Sequence, residues 1–163
     1  MNSTKGKFNM LLDLCDPTLF RQQGFIGGQW RDGTARRMIE VIDPATDRTV
    51  GTVPDMDGDD TRAAVEAAAA AFSAWRRRTH AERAALLEGW YGMMIANLED
   101  LARILTIEQG KPLEEARGEI RYGAAFVKWF AEEARRVGGS TIPSPTADRR
   151  IVTMKEPVRV CGI

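Results

Sequence analysis

The chain has 163 residues, of which 44% are hydrophobic, and its 23 basic side chains balance 23 acidic ones, so the formal net charge is zero. This is enough apolar chain to build a core, while the absence of net charge argues against nucleic acid or an anionic membrane as partner. The two cysteines, Cys15 and Cys161, lie far apart, which indicates neither a disulfide framework nor a zinc site and favours a reducing, cytoplasmic setting. No apolar stretch approaches the roughly 20 residues of a membrane span.

The stretch between Phe25 and Val53 predicts two or three short antiparallel strands. In GFIGGQWRDG and MIEVIDPATDRTVGTVP, β-formers precede turn residues such as Asp43, Pro44 and Asp47. We therefore expect the fold to begin with a β-hairpin.

A helical period begins at DGDDTRAAVEAAAAAFSAWRRR. Val65, Ala69 and Phe72, with Ala68 beside them, share one face and predict a surface helix with an alanine-rich packing side. An aspartate at position 57, 59 or 60 can cap its first amides.

Two further helices follow directly. Thr79 and Glu82 have the spacing of a capping box, which starts a second helix. Its apolar positions are Leu86, Leu87, Trp90, Met93 and Met94. Asn97 is predicted to cap a third helix, LEDLARILTIEQ, which ends at Gly110 because glycine readily adopts the left-handed conformation.

The fourth helix, predicted from about Pro112 to Val137, carries two apolar stripes. The core stripe recurs at helical spacing and comprises Ala116, Ile120, Gly123, Val127, Phe130 and Ala134. A second, aromatic stripe is formed by Tyr122, Phe126 and Trp129. Such a helix is either buried on two sides in a core or turns its aromatic stripe toward a cavity.

The end of the chain predicts a loop and then strands. STIPSPTADRR is rich in prolines and small polar residues, and RIVTMKEPVRVCGI contains β-formers on both sides of Pro157. The last residues predict a buried strand under way at Ile163, with further chain expected to follow, and Cys161 is interpreted as a packed thiol.

Few residues of the sequence match a known catalytic or phosphate-binding motif. His80 is the only histidine and falls at a helix start, where a solvated side chain is the simpler interpretation. The sequence VGGS at 137–140 follows a helix, so it lacks the amide cradle that binds phosphate at the start of one. From the residues alone, the chain has a core and no active site.

An ordered series of segments resembles the aldehyde dehydrogenase superfamily, and within it the succinate-semialdehyde dehydrogenases. The segments are LFRQQGFIGGQW, DPATDRTVGTVP, DDTRAAVEAA, EQGKPLEEARGEIRYGAAFVKWFAEEARRVGGSTIP and EPVRVCGI. The resemblance covers residues 17–163. It implies an α/β fold, namely the N-terminal part of an aldehyde-dehydrogenase-like fold: a β-hairpin, four helices, and strands leading into a Rossmann-like core that is missing here.

The resemblance also implies domain boundaries. Residues 1–24 are an N-terminal extension and 25–146 the N-terminal part of the cofactor-binding domain. Residues 147–157 supply an oligomerisation-type strand, and 158–163 begin the nucleotide-binding core. A homo-oligomer is expected.

The implied reaction is oxidation of succinate semialdehyde to succinate with NAD or NADP, a thiolate attacking the aldehyde before hydride transfer. The family's T-P-W-N-F-P segment, glycine-rich cofactor loop, general base, catalytic cysteine and substrate-binding arginine have no counterpart in these residues, and Cys161 does not match that cysteine. We therefore expect this chain alone to bind no nicotinamide cofactor and to be inactive. Glutarate semialdehyde is the alternative substrate, and a non-enzymatic helical binding or oligomerisation remnant is the alternative function.

The resemblance assigns two groups of residues. Tyr122, Phe126 and Trp129 match one wall of the family's substrate tunnel. Glu108 and the backbone of Ile42 match a monovalent cation site found in some members.

Overall fold

The computed structural model describes residues 13–162 and contains small strand pairs and four helices. The strands are β1 (Gly24–Ile26), β2 (Gln29–Arg31), β3 (Met38–Asp43), β4 (Arg48–Pro54), β5 (Thr141–Ile142) and β6 (Ile151–Val152). The helices are α1 (Gly58–Trp75), α2 (His80–Ala96), α3 (Leu98–Gln109) and α4 (Leu113–Glu133). Single 3₁₀ turns lie at Pro17–Leu19 and Ala134–Arg136.

The strands pair as three separate antiparallel hairpins, β1–β2, β3–β4 and β5–β6. In the β3–β4 turn, the Asp43 carboxylate accepts hydrogen bonds from the Ala45 amide at 2.8 Å and from the Thr46 hydroxyl at 2.7 Å. Asp47 completes the turn with a φ of 55°. The predicted strand region is therefore confirmed, but it contains four strands in two hairpins rather than two or three strands.

Most of the predicted helix boundaries are confirmed. Asp57 forms a capping box with Asp60 at the start of α1, and Thr79 forms one with Glu82 at the start of α2. Gly110 ends α3 in the left-handed conformation. The prediction for Asn97 is wrong: its side-chain amide donates to the Met93 carbonyl at the end of α2 and does not cap α3.

The core is built mainly from alanines where α4 packs against α2 and α3. The helices α2 and α4 run antiparallel. Glu88 pairs with Arg135, just after the end of α4, whereas Met94, later in α2, lies beside Gly123, earlier in α4. The completely buried alanines are Ala84, Ala102, Ala116, Ala124 and Ala131. Small residues let helix backbones approach closely, but they bury little apolar area. Among residues 13–162, no large side chain is completely buried.

The core stripe of α4 is confirmed at most of its positions. Its members other than Phe130 are buried or half-buried, and Ala124 and Ala131 join them. Phe130 is 59% exposed, so its assignment to the core is wrong. The predicted packing face of α1 is also wrong, because Val65 is 50% exposed and the packing of α1 in the described part is mainly with β1.

The predicted strand at 158–163 is not formed over its described part. The pair β5–β6 ends at Val152, and residues 153–162 contain no strand. A strand needs a neighbour for its backbone groups, and no strand of residues 13–162 pairs with this segment. Cys161 is accordingly exposed, which corrects its interpretation as a packed thiol.

Candidate functional site

The aromatic stripe of α4 lies on the exposed surface of the helix pair. Tyr122 is 66% exposed and Phe126 49% exposed. Their rings meet edge to face with centroids 4.8 Å apart, a favoured aromatic geometry. The two rings form a continuous apolar wall one helical turn long, and the prediction that this stripe is buried in a core is not borne out by its exposure.

Trp129, the third member of the stripe, faces a different space. It lines a groove between α2 and α4 together with Tyr91 and Ala125, and neither Tyr122 nor Phe126 lines that groove. The structure therefore brings Tyr122 and Phe126 together and separates Trp129 from them.

Two acidic partners of Arg117 hold the start of α4 in place. The guanidinium donates to both Glu99 carboxylate oxygens, at 2.9 Å from Nε and 2.7 Å from Nη2, and also pairs with Glu114. These hydrogen bonds raise the pKa of Arg117 and lower that of Glu99. The contact ties α3 to α4 and so fixes the helix that presents the aromatic wall.

Glu108 and Ile42, the predicted cation ligands, lie on α3 and β3, two elements that contact each other. Glu108 is on the last turn of α3 and lines a cavity with Phe20, Trp30 and Ile104, and desolvation raises the pKa of its carboxyl. Ile42 follows a β-bulge in β3 and is 40% exposed. Within residues 13–162, no group of three or more His, Cys, Asp or Glu side chains is arranged to hold a metal ion. The monovalent cation site stays a prediction.

The remaining candidates do not form a catalytic centre. His80 is exposed at the first position of α2. Cys161 lines a groove on α1 beside Phe72, Trp75 and Arg78, and its thiol lies 3.7 Å from the Arg159 carbonyl oxygen. A reactive cysteine needs a base, a cation or a helix N-terminus to form its thiolate. Within residues 13–162 the hydrogen bond of this thiol goes to a carbonyl, and Arg78 lines the groove without a hydrogen bond to it.

The glycine pair at 138–139 does not fit a dinucleotide phosphate. A Cβ added at Gly139 would collide with the carbonyl oxygen of Thr153, so the position is occupied by the backbone beside the β5–β6 hairpin. Both glycines follow the end of α4 rather than opening a helix, and phosphate binding uses the free amides of a helix start. This glycine pair therefore supplies no cradle for the phosphates of NAD or NADP.

Sequence patterns do not identify Asp100 as a buried polar residue, because its hydrogen-bond partners are distant in the sequence. Asp100 is 3% exposed and accepts hydrogen bonds from the amides of Cys15 and Asp16 at 3.0 and 2.8 Å. In the sequence, Asp100 is one of two acids in the first turn of α3, and nothing marks it as buried.

Comparison with known proteins identifies the family. The model of the aldehyde dehydrogenase family matches residues 30–163. The chain belongs to the aldehyde dehydrogenase family. Its fold is the N-terminal part of this α/β architecture, as predicted. Among residues 13–162, no helix of this aldehyde dehydrogenase chain is long and apolar enough to cross a membrane.

The relatives of this aldehyde dehydrogenase chain are named for different aldehyde substrates. The chain is 50% identical to glutarate-semialdehyde dehydrogenase of Pseudomonas putida and 48% identical to the NADP-dependent succinate-semialdehyde dehydrogenase of Escherichia coli; each alignment covers 91% of this chain and 31% of the relative. A solved succinate-semialdehyde dehydrogenase from Burkholderia pseudomallei superposes with a TM-score of 0.88 at 53% identity, covering 91% of this chain and 31% of that one. The chain thus spans 31% of the length of these relatives.

Proposed function

We propose that the chain is the N-terminal portion of an NAD(P)-dependent enzyme that oxidises succinate semialdehyde to succinate. The observation that carries this proposal is the 53% identity and TM-score of 0.88 to the solved succinate-semialdehyde dehydrogenase. Glutarate semialdehyde is the second candidate, favoured by the 50% identity to the Pseudomonas putida relative. Both substrates carry an aldehyde at one end and a carboxylate at the other.

In this proposal, Tyr122 and Phe126 form the wall that contacts the carbon chain of the aldehyde. The edge-to-face pair presents an apolar surface, and apolar and aromatic side chains line most small-molecule sites. The pairing of Arg117 with Glu99 ties the helix to α3, whereas the pairing with Glu114 lies within α4. The substrate-tunnel role that the sequence assigns to Trp129 stays a prediction, because Trp129 lines the separate groove.

The test is substrate preference in the full-length gene product. Tyr122→Ala and Phe126→Ala are each expected to change the ratio of kcat/KM between short and long aldehydes by about tenfold, the effect of removing one or two methylene-sized contacts. The KM for the nucleotide is expected to stay unchanged. Phe130→Ala is the matched control, because Phe130 is an exposed aromatic residue of the same helix outside the pair.

Unchanged selectivity in both variants, with only thermal stability lost, would remove the substrate role of the wall. A change of equal size in Phe130→Ala would show that the effect is not specific to the Tyr122–Phe126 pair.

The 163-residue chain alone is expected to show no aldehyde oxidation. Its described residues contain no activated thiol and no fitting nucleotide cradle, and both are needed for the family reaction. The purified chain with succinate semialdehyde and either nucleotide should give no NAD(P)H absorbance above buffer. A saturable signal proportional to protein would contradict this. We further propose a cytoplasmic, homo-oligomeric enzyme.

A further inference from the structure

The groove between α2 and α4 has the size and lining of a small-molecule site. It encloses about 410 Å³, within the usual range for such sites. Its apolar floor comes from Ile95, Leu98 and Ala125. Because neither Tyr122 nor Phe126 takes part, the groove is separate from the proposed aldehyde wall.

Two cationic side chains of α4 face the groove on either side of Ala125. Arg121 and Lys128 both line it and are seven residues apart, which places them about 10 Å apart along one helix face. The side chain of Ala125 ends at its Cβ, so the space between the two cations is open. The ion pairs found among residues 13–162 include neither Arg121 nor Lys128.

Two aromatic side chains form the walls beside these cations. The ammonium of Lys128 lies 5.5 Å from the centre of the Tyr91 ring, a cation–π contact that positions the charge over the groove. Trp129 lies on the other flank and is 60% exposed. An exposed indole face beside a cation is a stacking surface for a flat ligand.

Glu132 makes the two ends of the groove differ in charge. It lines the same space and lies one helical turn beyond Lys128, at the end opposite Arg121. Its carboxylate repels an anion from that end and partly offsets the charge of Lys128. The most favourable position for an anion is therefore between Arg121 and Ala125.

We propose that this groove binds an organic carboxylate with a flat aromatic body. The carboxylate lies between Arg121 and Ala125, and the ring packs over Ala125 toward Tyr91 and Trp129, where Lys128 adds a second positive charge. The site goes beyond the proposed aldehyde oxidation and uses neither Tyr122 nor Phe126.

The test is binding of 2-naphthoate to the full-length gene product, measured by isothermal titration calorimetry at low salt. A ligand of this size is expected to bind with a Kd on the order of 1 mM. Arg121→Gln and Lys128→Gln should each weaken binding about three- to tenfold, and Ala125→Leu should abolish it by filling the floor. Arg77→Gln is the matched control, because it removes a cation that lies outside the groove.

Neutral 2-naphthamide should bind at least about fivefold more weakly than 2-naphthoate, since it lacks the charge that the cations recognise. Circular dichroism of each variant confirms retained helix, which glutamine and leucine both favour. The proposal is overturned if 2-naphthoate shows no saturable binding, if Arg77→Gln weakens binding as much as the groove variants, or if the amide binds equally well.

Discussion

Two buried carboxylates join irregular segments to helices. Asp60 is 2% exposed and accepts hydrogen bonds from the amide and hydroxyl of Thr34, the latter at 2.7 Å. Asp100 does the same for the amides of Cys15 and Asp16. The sequence marks Asp60 only as one of three candidate caps and does not mark Asp100 at all. Local pattern rules report neighbours within a few residues, whereas these partners are 26 and 84–85 residues away.

The Asp60 contacts predict a loss of stability in acid. Hydrogen bonds from the Thr34 side chain, then from the Thr34 backbone, hold the pKa of Asp60 below its ordinary value of 3.8. A carboxyl whose folded pKa is depressed stabilises the fold above its unfolded pKa, and this contribution is lost as the pH falls through the folded pKa. Urea unfolding of Asp60→Asn should show lower stability at pH 7 and a shallower decline below pH of about 4 than the wild-type chain.

Asp59→Asn is the control for this experiment, since Asp59 is exposed and pairs only with Arg62 on the same helix. An equal pH dependence for the wild type and Asp60→Asn would show that the Thr34 contacts do not contribute.

At the scale of the elements, Gly110 is the junction of α3, α4 and the β3–β4 hairpin. It has a φ of 70°, its amide donates to the Thr106 carbonyl at 2.8 Å, and a Cβ added there would lie 2.8 Å from the Pro44 Cγ. Gly110→Ala is therefore expected to lower the free energy of unfolding by about 1–2 kcal/mol. Gly118→Ala, at an open position inside α4, should raise it by about 0.5–1 kcal/mol.

Thermal or urea unfolding of the two glycine variants side by side measures both effects. Equal stability changes of the same sign would contradict the assigned role of Gly110, because the substitution is chemically the same at both positions.

The sequence predicts the helix ends correctly more often than it predicts which side chains are buried. The Thr79–Glu82 capping box and the Gly110 stop depend on residues within one turn, and both are confirmed. Burial of Phe130 and the strand at 158–162 depend on what packs beside them, and both predictions are wrong. The pairing of Tyr122 with Phe126 follows from their spacing of four residues, but the separation of Trp129 follows from how α2 packs on α4, which no local pattern encodes.

The molecule as a whole has a thin core beneath a broad apolar surface. Among residues 13–162, the completely buried side chains are all alanines. The large apolar side chains of α2 and α4 that are about half or more exposed are Leu86, Trp90, Met93, Tyr122, Phe126, Trp129 and Phe130. Soluble monomers rarely leave such contiguous surface uncovered. The isolated chain is therefore expected to self-associate.

The self-association has two possible sources, the edge of the β5–β6 hairpin and the exposed faces of α2 and α4, and variants can distinguish them. The β5–β6 hairpin has an open edge, but each strand is only two residues long and offers few free backbone groups. The exposed faces of α2 and α4 offer far more apolar area, so they are expected to dominate. Replacing Trp90 and Phe126 together by glutamine should shift the chain toward monomer, whereas deleting residues 150–163 should have a smaller effect. Size exclusion with light scattering at several concentrations measures both, and a concentration-independent monomer of the unaltered chain would show that these helix faces are stable in water.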